Sequence, residues 1–167
     1  MRLLPILHLE QRQQADCLAA CSAMLLDYLQ VPIKYNKLVK RLRIGYGGAP
    51  FRNLHDLETF GVSVEIRQGE IETLRAHLKQ GVPPMAFVAT QQLSYWSEAT
   101  NHAVVVVGIN ENSIYLNDPS FAHAPQVVSI DEFYLAWFAI DKYYAIINKK
   151  QLSAFGKIVQ RAKNILP

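Results

Sequence analysis

The chain has 167 residues, half of them apolar and 19% charged, the balance of one globular domain large enough for a real core. Its net charge of +3 is too small to imply a nucleic-acid partner. Five of the 17 basic residues sit together in residues 149–167, where there is no acid, so the rest of the chain carries slightly more acid than base. No run approaches the roughly 18–20 apolar residues of a membrane span. The short apolar stretch at residues 3–9 is soon followed by charge and has no small-residue cleavage site, so it does not read as a signal peptide.

Residues 3–9 suit a strand or an extended arm. Asp16 suits a helix N-cap, and residues 17–29 follow with helical periodicity. Cys17, Cys21, Met24, Leu25 and Tyr28 share one face, alanines make the helix easy to bury, and Pro32 ends it. A short basic helix is predicted over 36–42, a glycine-rich loop at 45–50 and a third helix over 53–60 that stops at Gly61. The Gly45-Tyr46-Gly47-Gly48 run lacks the Lys-Ser/Thr and the preceding strand of a phosphate loop, and reads as an ordinary turn. Residues 62–67 alternate as a half-buried strand, and 70–80 form a helix closed by Gly81.

Beyond Pro83-Pro84 the chain turns to strands. Residues 85–89 read as a buried strand, and residues 91–100 as a polar and aromatic loop carrying Tyr95 and Trp96. Residues 102–109 are a β-branched run, predicted to be a central strand buried on both faces. Asn110-Glu111-Asn112 turns it into a strand at 113–117. Further strands are expected at 127–130 and 143–147, with a helix near 131–138. Helices first and strands after predict an α+β fold. Residues 1–148 are expected to form the domain. Residues 149–167 are expected to form a basic amphipathic helix or linker, which could dock on the domain or lie on a membrane surface.

The residues best suited to chemistry begin at Gln11. A thiolate is a strong nucleophile, and the N-terminus of a helix, with unpaired N–H groups and a positive dipole end, favours it. Cys17 stands at that position. The preceding Asp16 opposes a thiolate unless its charge is spent on capping. Gln11, six residues upstream, can return over the same centre and offer its amide to an oxyanion. Such a centre also needs a base and a group to orient it. His102 opens the strongest strand, a rigid mount, while His8, His55, His77 and His123 lie in segments that read as exposed. Asp118 ends the next strand, and an antiparallel hairpin brings His102 and Asp118 together. Asp118-Pro119-Ser120 also has the composition of a turn opener. The bland reading of either cysteine is a small buried hydrophobe, and for Cys21 it is preferred. Four residues apart on one helix, the two cysteines cannot bridge without distortion, which predicts free thiols and a cytosolic setting. A zinc site has no second cluster of ligands to support it.

The order Gln11, Cys17, His102, Asp118, with the segments around each, resembles the C39 family of papain-like, double-glycine cysteine peptidases over about residues 5–148. That resemblance implies a papain-like α+β fold with an N-terminal helical lobe packed on a C-terminal antiparallel sheet. It implies Cys17 as nucleophile, His102 as general acid/base, Asp118 as its orienting partner and Gln11 in the oxyanion hole, with no metal or cofactor. The implied substrate is a peptide or protein, cut after small residues such as Gly-Gly. An ABC transporter or the cytosolic face of a membrane is the implied partner, reached through the C-terminal segment. Where the family usually has glycine after its cysteine this chain has Leu18, a side chain expected to narrow the cleft or alter substrate choice. Tyr95 and Trp96, on the loop that delivers His102, are expected to touch substrate. The same residues would also serve an amidase, a deamidase or an acyltransferase, and the cleft alone would serve a peptide-binding module.

Overall fold

The structure is a computed structural model that describes residues 2–150. Its first helix, α1 (Cys17–Tyr28), is buried on nearly every side. Leu18, Ala19, Ala20, Cys21, Ser22, Met24, Leu25 and Leu26 are all buried, more than the single predicted face. A helix apolar all round belongs inside a protein. It ends in a Schellman turn: Gln30 takes a left-handed φ of 58°, Val31 N donates to Leu26 O (2.8 Å) and Gln30 N to Asp27 O (2.8 Å).

α2 (Tyr35–Arg41) follows. The predicted third helix is instead a 3-10 helix, Phe51–Phe60. Its buried apolar residues Phe51, Leu54 and Leu57 recur every third position, the period of a 3-10 turn rather than an α-helix. Gly61, at φ 82°, closes it in the left-handed region that favours glycine.

Six strands make one antiparallel sheet: β1 (Val62–Gln68), β2 (Met85–Ala89), β3 (Asn101–Ile109), β4 (Ser113–Asn117), β5 (Gln126–Ser129) and β6 (Tyr143–Lys149). They lie in the order β1-β6-β2-β3-β4-β5. β3 is buried from His102 to Ile109, as its β-branched run predicts. Its odd-numbered residues Ala103, Val105 and Val107 join the core beneath α1, α2 and the 3-10 helix. Val104 and Val106 join a second core under α3 (Ile71–Lys79) and α4 (Ile130–Phe138). The α+β class and the antiparallel sheet are as expected. The arrangement is fuller than one helical lobe on one sheet, because helices cover both faces and β1 comes from the N-terminal half.

Two local features aim β3 at the site. The β3–β4 turn is tightened by Asn110, whose Oδ1 accepts from Asn112 N (2.9 Å) and Ser113 N (2.7 Å). A register shift between Val106 and Gly108 leaves Val107 out of the β4 ladder, and its carbonyl accepts instead from Leu4 N (2.9 Å). From there residues 4–11 run as an extended arm. Asn117 Nδ2 donates to Ile6 O (3.2 Å), His8 Nε2 to Phe121 O (2.7 Å) and Gln11 N to Pro119 O (2.8 Å). No helix among the described residues is long and apolar enough to cross a membrane. The amphipathic segment expected after β6 lies outside the described residues.

Leu18 is only 2% exposed and belongs to the core of α1, not to the cleft beside Cys17. The expectation that its side chain narrows the cleft therefore does not hold. Leu18→Ala is expected to cost about 2–5 kcal/mol of stability in urea unfolding. Activity per folded molecule should stay near that of the parent protein.

Candidate active site

Cys17 is the first residue of α1 and is half-buried, with its thiol on the wall of a cleft of about 670 Å³. Asp16 occupies the N-cap position, but its carboxylate makes no bond to the helix. It accepts from the Tyr35 hydroxyl instead (3.3 Å), and that hydroxyl accepts in turn from Arg12 N (3.3 Å). The Arg12 guanidinium lies over the Tyr35 ring, 4.3 Å from its centre. Burial, reinforced by the Asp16 charge against the Arg12 N–H, pushes the Tyr35 hydroxyl up to about 12, so it stays a donor at neutral pH. The first turn of α1 therefore has no side-chain cap, and the Asp16 charge is spent on Tyr35.

His102 and Asp118 meet where the hairpin puts them. His102 Nε2 donates to Asp118 Oδ1 at 2.7 Å, between a ring 3% exposed and a carboxylate fully buried. That carboxylate accepts three further bonds: Ser120 N to Oδ1, and the Tyr95 hydroxyl and Trp96 Nε1 to Oδ2, each 2.9 Å. Burial raises the Asp118 pKa, but the bond and charge of His102 and the bonds from Ser120 and Trp96 outweigh it and hold the group below the usual carboxylate range. For His102, burial opposes the charged ring, while the bonds and charges of Asp118 and Cys17 raise it to about 9. With Nε2 committed to Asp118, Nδ1 is the ring nitrogen left for the thiol. The Trp96 ring stands edge-on to the His102 ring, 4.8 Å between centres. Phe121 packs edge-on against Trp96 and Tyr95.

Gln11 lines the same cleft as Cys17 and His102. Its Nε2 donates to Gln13 O (3.0 Å) and Gln14 O (2.8 Å), and its Oε1 accepts from Ser120 Oγ (3.2 Å). Tyr95 and Trp96 also line the cleft, while their polar atoms grip Asp118. The loop that carries them is tied down at both ends. Thr90 Oγ1 donates to Thr100 O (3.0 Å), and Glu132 Oε1 accepts from Ser94 N (2.6 Å). Across the cleft stands Tyr46, fully exposed at the tip of the narrow 45–48 turn. Cys21 is fully buried, donates to Ala103 O (3.3 Å) and is pushed up chiefly by burial, the state of a buried neutral thiol. No cluster of three or more metal-binding side chains exists among the described residues.

Ser120, Tyr35 and Tyr46 were not singled out from the sequence as site residues. Ser120 carried a signal, its place in an Asp-Pro-Ser turn. Tyr35 carried none, being 19 positions from the carboxylate it serves.

Residues 6–151 match the Peptidase C39 family. The chain belongs to that family. It is accordingly a cysteine peptidase, with the α+β fold of C39 domains. A C39-like peptidase candidate from Bacillus anthracis superposes with a TM-score of 0.73 at 15% identity, covering 90% of this chain and 100% of that one. A double-glycine-motif protease of an AMS/PCAT transporter, solved in complex with the leader peptide, gives 0.69 at 20% identity over 89% and 94%. The peptidase domain of Streptococcus ComA, a bifunctional ABC transporter of a quorum-sensing pathway, gives 0.70 at 16% identity over 86% and 98%. No curated protein sequence matches the chain significantly.

The opposite charges of His102 and Asp118 make the stability of this C39 domain depend on pH. His102 binds its proton more tightly folded than unfolded, so the charged ring stabilises the fold. That contribution is complete below the unfolded value of 6.5 and is lost as pH rises through about 9. Urea unfolding from about pH 6 to about pH 8.5, below the range where the thiols add their own slope, should show a decline on the order of 2 kcal/mol that His102→Gln flattens. Asp118 acts in the opposite sense, its contribution fading as pH falls into the acid range. Tyr95→Phe keeps the ring and removes one donor from a buried carboxylate. It should cost about 1–3 kcal/mol in unfolding and lower kcat/KM.

Proposed function

We propose that this C39 peptidase cuts peptide bonds through an acyl-enzyme on Cys17. His102 is the general acid/base, Asp118 orients it, and Gln11 with the Cys17 N–H receives the oxyanion. The observation that carries this reading is the buried Asp118 carboxylate. Four donors fix it, and it holds the His102 ring so that one nitrogen is left for the thiol at the start of α1.

In this mechanism the thiol proton already rests on the imidazole, and the Cys17 thiolate attacks the scissile carbonyl carbon. The carbonyl oxygen becomes an oxyanion facing the N-terminus of α1, where fixed dipoles favour negative charge. As the tetrahedral intermediate collapses, His102 returns its proton to the departing amine and the C–N bond breaks. The same ring then draws a proton from water, which hydrolyses the thioester and frees the acid and the thiol. Asp118 stays ionised throughout and stabilises the imidazolium.

The proposed substrate is a leader-bearing peptide cut after small residues such as Gly-Gly, by likeness to the double-glycine protease solved with its leader peptide. By the same likeness the proposed partner is an ABC exporter at the cytosolic face of a membrane.

A peptide-library cleavage profile tests the reading. Cleavage should concentrate after one or two small residues and vanish in Cys17→Ala. Iodoacetamide should modify the folded parent protein and Cys21→Ala rapidly, but not Cys17→Ala. Equal labelling of all three would overturn the assignment of the nucleophile.

A further inference from the structure

The turn 118–120 does more than present a carboxylate to His102. Pro119 O accepts from Gln11 N (2.8 Å), and Ser120 Oγ donates to Gln11 Oε1 (3.2 Å). Ser120 N separately serves Asp118 Oδ1 (2.9 Å). One short turn thus holds both the partner of the base and the residue assigned to the oxyanion. We propose that the Ser120 hydroxyl is a positioning group for the oxyanion hole, fixing the Gln11 amide with its nitrogen toward the loop that leads into Cys17. This rests on the reading of Gln11 given above.

The amide's two hydrogens decide what the Ser120 bond is worth. Both hydrogens of Gln11 Nε2 are held by carbonyls of its own loop, Gln13 O and Gln14 O. To serve an oxyanion, Nε2 must give up at least one of them. That exchange weakens the contacts that orient the nitrogen end, at the moment when orientation matters most. The bond from Ser120 grips the opposite end of the amide and survives the exchange. Its worth is therefore greater in the transition state than in the resting enzyme, and its loss should fall on kcat rather than KM.

The two duties of Ser120 can be separated, because only one uses the side chain. Ser120→Ala deletes the hydroxyl but keeps the N–H that serves Asp118. Alkylation by iodoacetamide provides the internal control. Iodide leaves from an sp3 carbon and no oxyanion forms, so the rate reports the Cys17–His102–Asp118 assembly alone.

The experiment compares the full chain with Ser120→Ala, Ser120→Thr, Gln11→Ala and the Ser120→Ala/Gln11→Ala double variant. The probe is a fluorogenic peptide bearing Gly-Gly before the scissile bond. Ser120→Ala should lower kcat roughly five- to tenfold, with KM and the alkylation rate changed by less than about twofold. Ser120→Thr should restore most of the loss, and Ser120→Ala should cost nothing further once Gln11 is alanine. An undiminished loss in the Gln11→Ala background, or alkylation falling in step with kcat, would overturn the proposal. A large loss in Gln11→Ala with none in Ser120→Ala would overturn it while leaving the Gln11 reading standing. An inert Gln11→Ala would remove that reading first, and the role of Ser120 with it.

Discussion

A carboxylate taken fully out of water is costly unless its lone pairs are filled, and Asp118 is such a group. Its four donors come from the head of β3, from the loop before that strand and from its own turn. The loop runs straight into the strand, but the turn lies 16 positions beyond His102. Satisfying one buried charge thus draws the loop, the strand and the turn into a single arrangement. The imidazole is held as a by-product of the same requirement. Its orientation comes from the electrostatics of the interior as much as from packing against Trp96.

Cys17 is fixed by a different physics. α1 is sealed in apolar contacts on nearly every side, so its N-terminus has little freedom to tilt. Between helix and strand runs a seam marked by the bond from Cys21 to Ala103 O, one residue from His102 and one turn below Cys17. Dispersion and burial set the thiol's position, whereas hydrogen bonds set the ring's. The cleft lies where the two kinds of order meet.

Much of this was legible in the sequence, and the gaps have physical causes. The helix start at Cys17, the β3–β4 hairpin and the pairing of His102 with Asp118 all follow from periodicity and turn chemistry. Those are local signals, and local structure obeyed them. The helix predicted over 53–60 is present, but its type goes unassigned although Phe51, Leu54 and Leu57 spell out a three-residue repeat. The covering of both sheet faces was missed because a strand buried on two sides does not say which helices cover it. Side-chain bonds between distant elements left no mark in spacing. Nothing in the order of residues tells that Tyr35 would occupy the carboxylate of Asp16. Nor does it tell that Tyr95 and Trp96, expected at the substrate, would also hold Asp118. Leu18 illustrates a subtler gap, since a position beside Cys17 can face away from the cleft.

The seam at Cys21 gives the molecule a built-in clock. Its two thiols share one helix, one facing the cleft and the other sealed against Ala103. Exposing the sealed sulfur breaks its bond to β3, one residue from His102, and so disturbs the wall of the cleft. A first adduct therefore reports the thiol at the cleft, while the slow appearance of a second times the opening of the core.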